Sequence, residues 1–260
     1  MNSQGAGLVL PERGSRSVYK VTDFVDRHKI YREGNIRQVN RRLLARAYGL
    51  IPRLAEDLLR LEALLRWAAG PVIAGIKPAS LIRLNRAVWE KGGTGLCSSL
   101  GLSALPLREG AEGILVLLYR QGLLARKLRG GAAARYLRSL QYPAGTGLGG
   151  YLSFLQERFA GPGFPHEVGV FLGYPLEDVI CFSAGKPSPY KCRGYWKVYR
   201  RPEKAERTFV YMDAARITLI RELFSGSLPE DDDRAFGYKG KRRSPLSALS
   251  RVLKGQRVTM

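Results

Sequence analysis

Cysteine and histidine are both scarce in this chain of 260 residues. The three cysteines, Cys97, Cys181 and Cys192, form no C-x-x-C pair, which argues against a disulfide scaffold and fits a reducing compartment. Only His28 and His166 represent histidine. With those five residues scattered, a four-ligand structural zinc site has no support, and no metal is expected. There is no run of about 18 apolar residues, so no transmembrane segment is expected. The first residues break at Pro11 and Glu12 after a short apolar patch, unlike a secretory signal, and a cytoplasmic protein is the simplest expectation. A phosphate-loop lysine motif, a G-x-G-x-x-G turn, a G-x-S-x-G elbow and an H-E-x-x-H helix are all missing, which removes the common nucleotide hydrolases and zinc proteases.

Negative charge is short as well. Lys and Arg number 43 against 22 Asp and Glu, a formal charge of +21. At face value this suggests nucleic acid or an anionic membrane as partner. The excess is spread along the whole chain and arginine dominates it, a pattern that a GC-rich genome also writes into solvent-facing positions. The strongest local concentration runs from 113 to 156. It holds Arg120, Arg126, Lys127, Arg129, Arg135 and Arg138 and no acidic residue, making it the candidate nucleic-acid surface.

Residues 1–34 lack periodicity and are expected to be a disordered extension, as is the charge-segregated tail 225–260. Between them, 35–224 reads as one α/β domain. Two helices are predicted first, one carrying Ile36, Val39, Leu43 and Leu44, the other Leu54, Leu58, Leu61 and Leu65. Strands are expected over 71–76 and 80–84, bent at Pro78. A weakly patterned, short helix is expected in 85–101. A hairpin follows over 102–107 and 113–119, then helical segments over 121–140, broken near Gly130, and over 148–159. The next strand, 167–172, turns through Gly173 and Tyr174 into a helix with Pro175 at its start and Gly185 past its end. A strand over 195–199 and a helix over 202–224, with Ala205, Phe209, Met212 and Leu219 on one face, complete the set. The expected fold is a mixed sheet of about five or six strands flanked by helices.

Two blocks stand out. One is His166 to Tyr199, with His166, Glu167, Gly169, Phe171 to Pro175, Asp178, Val179 and Gly194 to Tyr199; the other is Gly70 to Leu81. Together they resemble the two motifs of a bacterial family catalogued as domain of unknown function 3793, over roughly residues 55–223. The resemblance implies no reaction. This chain has Ala69 where many members of that family carry cysteine, so no thiol chemistry is expected there.

If the strand ends lie on one side of the sheet, they frame a basic, aromatic-edged pocket for a small anionic ligand or cofactor. Its candidate residues are Lys77, Ser80, His166, Tyr174, Asp178, Trp196 and Lys197. Lys77 is the lone charge between Trp67 and Ile82. It could hold an anion or, if desolvated, act as a base or Schiff-base amine; the bland alternative is a lysine emerging into solvent. His166 and Glu167 adjoin on an expected strand and so point to opposite faces, which argues against one acid/base pair. The alternation of Tyr190, Tyr195, Trp196 and Tyr199 with Lys191, Arg193, Lys197 and Arg200 fits either a stacking platform for nucleic acid or an ordinary edge strand. A partner-docking module without a ligand is the third possibility.

Overall fold

The computed structural model describes residues 44, 45, 48–54, 56–185 and 189–224. The expectations for 1–34, for most of the first helix and for 225–260 lie outside the described residues. Chain order is a 3-10 turn at Ile51–Arg53, then α1 (Asp57–Ile73), β1 (Ala79–Leu84), α2 (Arg86–Ser99), β2 (Ser103–Gly110) and β3 (Gly113–Tyr119). There follow α3 (Gln121–Arg129), α4 (Gly131–Ser139), α5 (Gly147–Ala160), the single turn α6 (Val168–Phe171), α7 (Leu176–Ser183), β4 (Cys192–Arg193), β5 (Lys197–Val198) and α8 (Pro202–Phe224). No described helix is long and apolar enough to cross a membrane.

The sheet corrects the expected architecture. Instead of a mixed sheet of five or six strands there are three antiparallel strands, in the order β1-β3-β2, and a separate two-residue ladder between β4 and β5. Central β3 is buried on both faces, and its alternation divides the core. Leu115 and Leu117 join Leu124, Leu155, Phe159, Phe171 and Val179 on one side. Ile114, Val116 and Leu118 join Leu61, Leu65, Ala69, Val72 and Trp89 on the other. Helices α1 and α2 therefore cover one face and α3, α5, α6 and α7 supply the cover on the other. The hairpin is present as expected, with its edge strand β2 holding Pro106 and a register shift between Pro106 and Arg108. An edge is where a proline's missing donor does least harm.

Two expected strands are helical. The apolar run from Pro71 is the end of α1, with Pro71 inside the helix, and Ala68 through Val72 are all buried there. Burial on all sides erases the 3.6-residue alternation, so the run looks like a buried strand. The helix ends in a Schellman motif: Gly75, at φ 75°, donates to Val72 O at 3.0 Å, and Ile76 N donates to Pro71 O at 2.8 Å. Likewise 167–172 is the turn α6, whose four residues are all buried. The strand over 195–199 shrinks to Lys197 and Val198, paired with Arg193 and Cys192. Helix α2 is broken by a kink at Gly92, whose backbone is not helical, so its two segments are short as expected; Asn85 caps the first, accepting from Val88 N at 3.3 Å. The expected helix over 202–224 is present at those bounds.

Candidate functional site

The two sequence blocks meet physically. The Schellman turn delivers Lys77 to the end of α1, where its backbone N–H donates to Pro71 O at 3.2 Å. Pro78 follows at once, and its carbonyl accepts from Arg120 N at 3.0 Å. Against this corner packs Gly173, at φ 83°; a Cβ there would collide with Cδ of Pro78. Only glycine satisfies both that backbone conformation and that approach. Tyr174 is thereby set beside Lys77, whose Nζ stands 5.2 Å from the ring centroid. Trp196 stacks on Tyr174 at 4.8 Å and meets Phe209 of α8 edge-on at 4.5 Å.

Asp178 organises this wall from beneath. It is buried, and its carboxylate accepts from Trp196 Nε1 at 2.9 Å, Tyr199 N at 2.8 Å and Arg200 N at 3.2 Å. Having accepted three hydrogen bonds, Asp178 holds the β5 segment to the start of α7 and is a positioning residue for Trp196. It also places a negative charge in the first turn of α7, where the helix dipole favours one.

Arg216 completes the cluster from α8. Its guanidinium lies 4.7 Å from the ring centroid of Tyr195 and 5.3 Å from that of Trp67, and its buried Nε has no hydrogen-bond partner among the described residues. Gly70 makes this crossing possible, since a Cβ at that position would stand 3.1 Å from Arg216 Cα. Tyr195 donates its hydroxyl to Asp213, the carboxylate at this end of the cluster.

Lys77 is 8% exposed, and among the described residues its ammonium has no carboxylate partner. Burial, and secondarily the positive charge of Arg216, bring its pKa down from 10.5 to about 7. Burial raises the Tyr174 and Tyr195 hydroxyls, with Arg216 opposing, so both remain protonated donors at neutral pH. The result is two cations over half-buried rings, Lys77 by Tyr174 and Arg216 by Tyr195 and Trp67, with Arg216 Nε lacking an acceptor among the described residues. A buried charge without a partner is costly, and oxygen acceptors on a bound anion would relieve that cost.

The other sequence candidates lie apart from this cluster. His166 is exposed between Phe164 and Phe182, its ring 4.9 Å from that of Phe182. Lys197 sits over Phe182 and Tyr190, at 5.3 and 5.6 Å, and belongs to that surface group. Glu167, buried on the neighbouring side of a helical turn, accepts from Arg158 Nε at 2.8 Å and Tyr142 Oη at 3.3 Å. The separation of His166 from Glu167 therefore holds, but on a turn of helix and not on a strand. Ser80 is buried opposite Leu118 in the β1–β3 ladder.

Among the basic candidates, Arg120 donates to Ile73 O at 3.3 Å and caps α1. Lys127 is half-buried, and its pKa is lowered by desolvation. Arg126, Arg129, Arg135 and Arg138 are exposed on α3 and α4 without an ion pair among the described residues. A shallow cleft beside the β2–β3 turn is lined by Arg83, Arg86, Glu90 and Glu112. Its charges are already paired, Arg83 with Glu112 at 3.4 Å and Arg86 with Glu90 at 2.7 Å, so it offers less to a ligand than the Lys77 corner.

Sequence reasoning missed Arg216 and Asp213, and read Tyr195 only as part of a stacking platform or an edge strand. A signal for Arg216 was present: Ala205, Phe209, Met212, Arg216 and Leu219 follow the three- and four-residue spacing of one helix face. A cation on that stripe either snorkels outward or serves a site.

These features define a protein of mixed helices and strands in which both sequence blocks and α8 meet at one corner, bringing Lys77 and Arg216 into one aromatic cluster. The chain belongs to the family described as protein of unknown function (DUF3793), whose model matches residues 65–231. Neither a search of curated proteins nor one of solved structures finds a match.

Proposed function

We propose that this protein binds a small anionic molecule at Lys77 and Arg216, with the Tyr174 and Trp196 rings as the wall of the site. The supporting observation is a buried Arg216 Nε without a hydrogen-bond partner among the described residues, in the same aromatic cluster as the largely buried Lys77, which has no carboxylate partner among them. Thermal melts of the full chain against inorganic phosphate, pyruvate and citrate test it. At least one of these anions is expected to raise the melting temperature of the wild type. Arg216→Met should weaken that anion about 10- to 100-fold, the effect of removing one charge-assisted hydrogen bond. Equal responses in wild type and variant to all three anions would count against the site.

A second reading rests on the exposed, unpaired Arg126, Arg129, Arg135 and Arg138 of α3 and α4, which would suit the phosphates of a nucleic acid. If those arginines contact duplex DNA, each Arg→Gln change is expected to reduce the slope of log K against log salt by about 0.9. A slope unchanged in the fourfold variant would remove this reading.

A further inference from the structure

We propose that Lys77 is a nucleophilic amine that forms an imine with the carbonyl of a small oxo acid, whose carboxylate Arg216 holds. This inference rests on the anion site proposed above and adds chemistry to it.

Lys77 differs from the other lysines among the described residues, Lys91, Lys127, Lys191, Lys197 and Lys204. Its backbone is fixed on both sides, by the Schellman turn before it and by Pro78, locked against Gly173, after it. Its side chain is buried beside the ring of Tyr174 and has no carboxylate partner among the described residues. An amine serves as a nucleophile only when neutral, and desolvation beside a second cation is a recognised way to keep it so. Here burial and Arg216 lower its pKa to about 7, leaving a large neutral fraction at neutral pH. The same Arg216 has a guanidinium N–H without an acceptor, suited to a carboxylate. A cation that discourages protonation of the amine would thus also anchor the substrate's negative charge. By contrast, Lys197 stands over the exposed rings of Phe182 and Tyr190.

The step is balanced without any oxidant or reductant. The lone pair of neutral Nζ forms a bond to the carbonyl carbon while the carbon–oxygen π pair moves to oxygen. The two hydrogens of the amine and that oxygen leave as water, and a carbon–nitrogen double bond remains. Addition of water reverses the sequence and frees the amine.

The test treats the full chain with glyoxylate and cyanoborohydride at neutral pH and maps the reduced adducts by peptide mass spectrometry. Acetaldehyde serves as a neutral carbonyl, and glycolate as an anion without one. Lys77 is expected to be labelled by glyoxylate at least about tenfold faster than any other lysine, because ordinary lysines are almost fully protonated under these conditions. Glycolate should protect it, and acetaldehyde, which meets the same neutral amine but has no carboxylate for Arg216 to hold, should favour Lys77 about tenfold less than glyoxylate does. The comparison among lysines within one folded protein does not depend on a variant's survival. If glycolate and glyoxylate both bind, shifting the Lys77 Nζ signal by NMR, yet Lys77 gains no adduct, the amine role is overturned and the anion site stands. If neither anion perturbs Lys77, both readings fall. If acetaldehyde labels Lys77 as selectively as glyoxylate, the amine is reactive but the oxo-acid assignment is overturned.

Discussion

Replacing Asp178 by alanine is expected to destabilise the fold by about 3–5 kcal/mol, the range for removing one partner of a buried charged network. The carboxylate is 2% exposed and accepts from one indole and two backbone N–H groups. Without it three donors are left together, and an unsatisfied buried donor costs roughly 1–3 kcal/mol. Asp178→Asn should lie nearer to alanine than to wild type, because an amide offers one acceptor oxygen and turns a second donor toward either Trp196 or the backbone. Urea unfolding gives the stability, and near-ultraviolet circular dichroism follows the Trp196 environment. A loss below about 1 kcal/mol would mean that Asp178 does not hold the β5 segment to α7.

The Lys77→Met variant is expected to be more stable than wild type in the absence of ligand, and most so on the acidic side. The native lysine has its pKa lowered from 10.5 to about 7. Between those values the unfolded chain binds more protons than the folded one, so wild-type stability rises with pH, by about 1.4 kcal/mol per pH unit while the difference is complete. Below the lower value the whole cost of burying the charge is present, and above the upper value it has gone. Lys127 is shifted in the same direction, so the comparison must be made against the variant. Cys97, raised by burial from 9.0 to about 11, lowers stability as pH climbs through that upper range, as do the raised Tyr142 and Tyr195. The clean window is therefore pH 7 to 9, set by Lys77 below and Cys97 above. Across it the advantage of Lys77→Met is expected to shrink by roughly 2–3 kcal/mol. Urea midpoints at a series of pH values measure this. A variant less stable than wild type, with a constant difference, would show that the ammonium is satisfied in the unliganded protein.

What the sequence disclosed and what it hid follow from burial. Helices with one wet face, such as α5 and α8, kept their periodicity and were legible, as was the alternating hairpin of β2 and β3. The last turns of α1 and the turn α6 are apolar all round, and nothing in such a run separates helix from strand. Strand number also escaped, because pairing is decided by distant partners. Within the site, Lys77 and Trp196 announced themselves as a charge in an apolar run and an aromatic in a basic loop. Their convergence with Tyr174 was expected, and the structure brings the three together. Arg216 was legible only as a break in an otherwise apolar stripe. Asp178 was read as a ligand residue, but its carboxylate is already committed to Trp196 Nε1 and to the backbone N–H groups of Tyr199 and Arg200.

The contact between Gly70 and Arg216 joins the first described long helix to the last one. During synthesis Gly70 leaves the ribosome long before Arg216 exists, so the face of α1 at Gly70 waits uncovered until α8 is made. The crossing of α1 and α8 is thus a late event of translation, closing only after every other described element of the domain has been made.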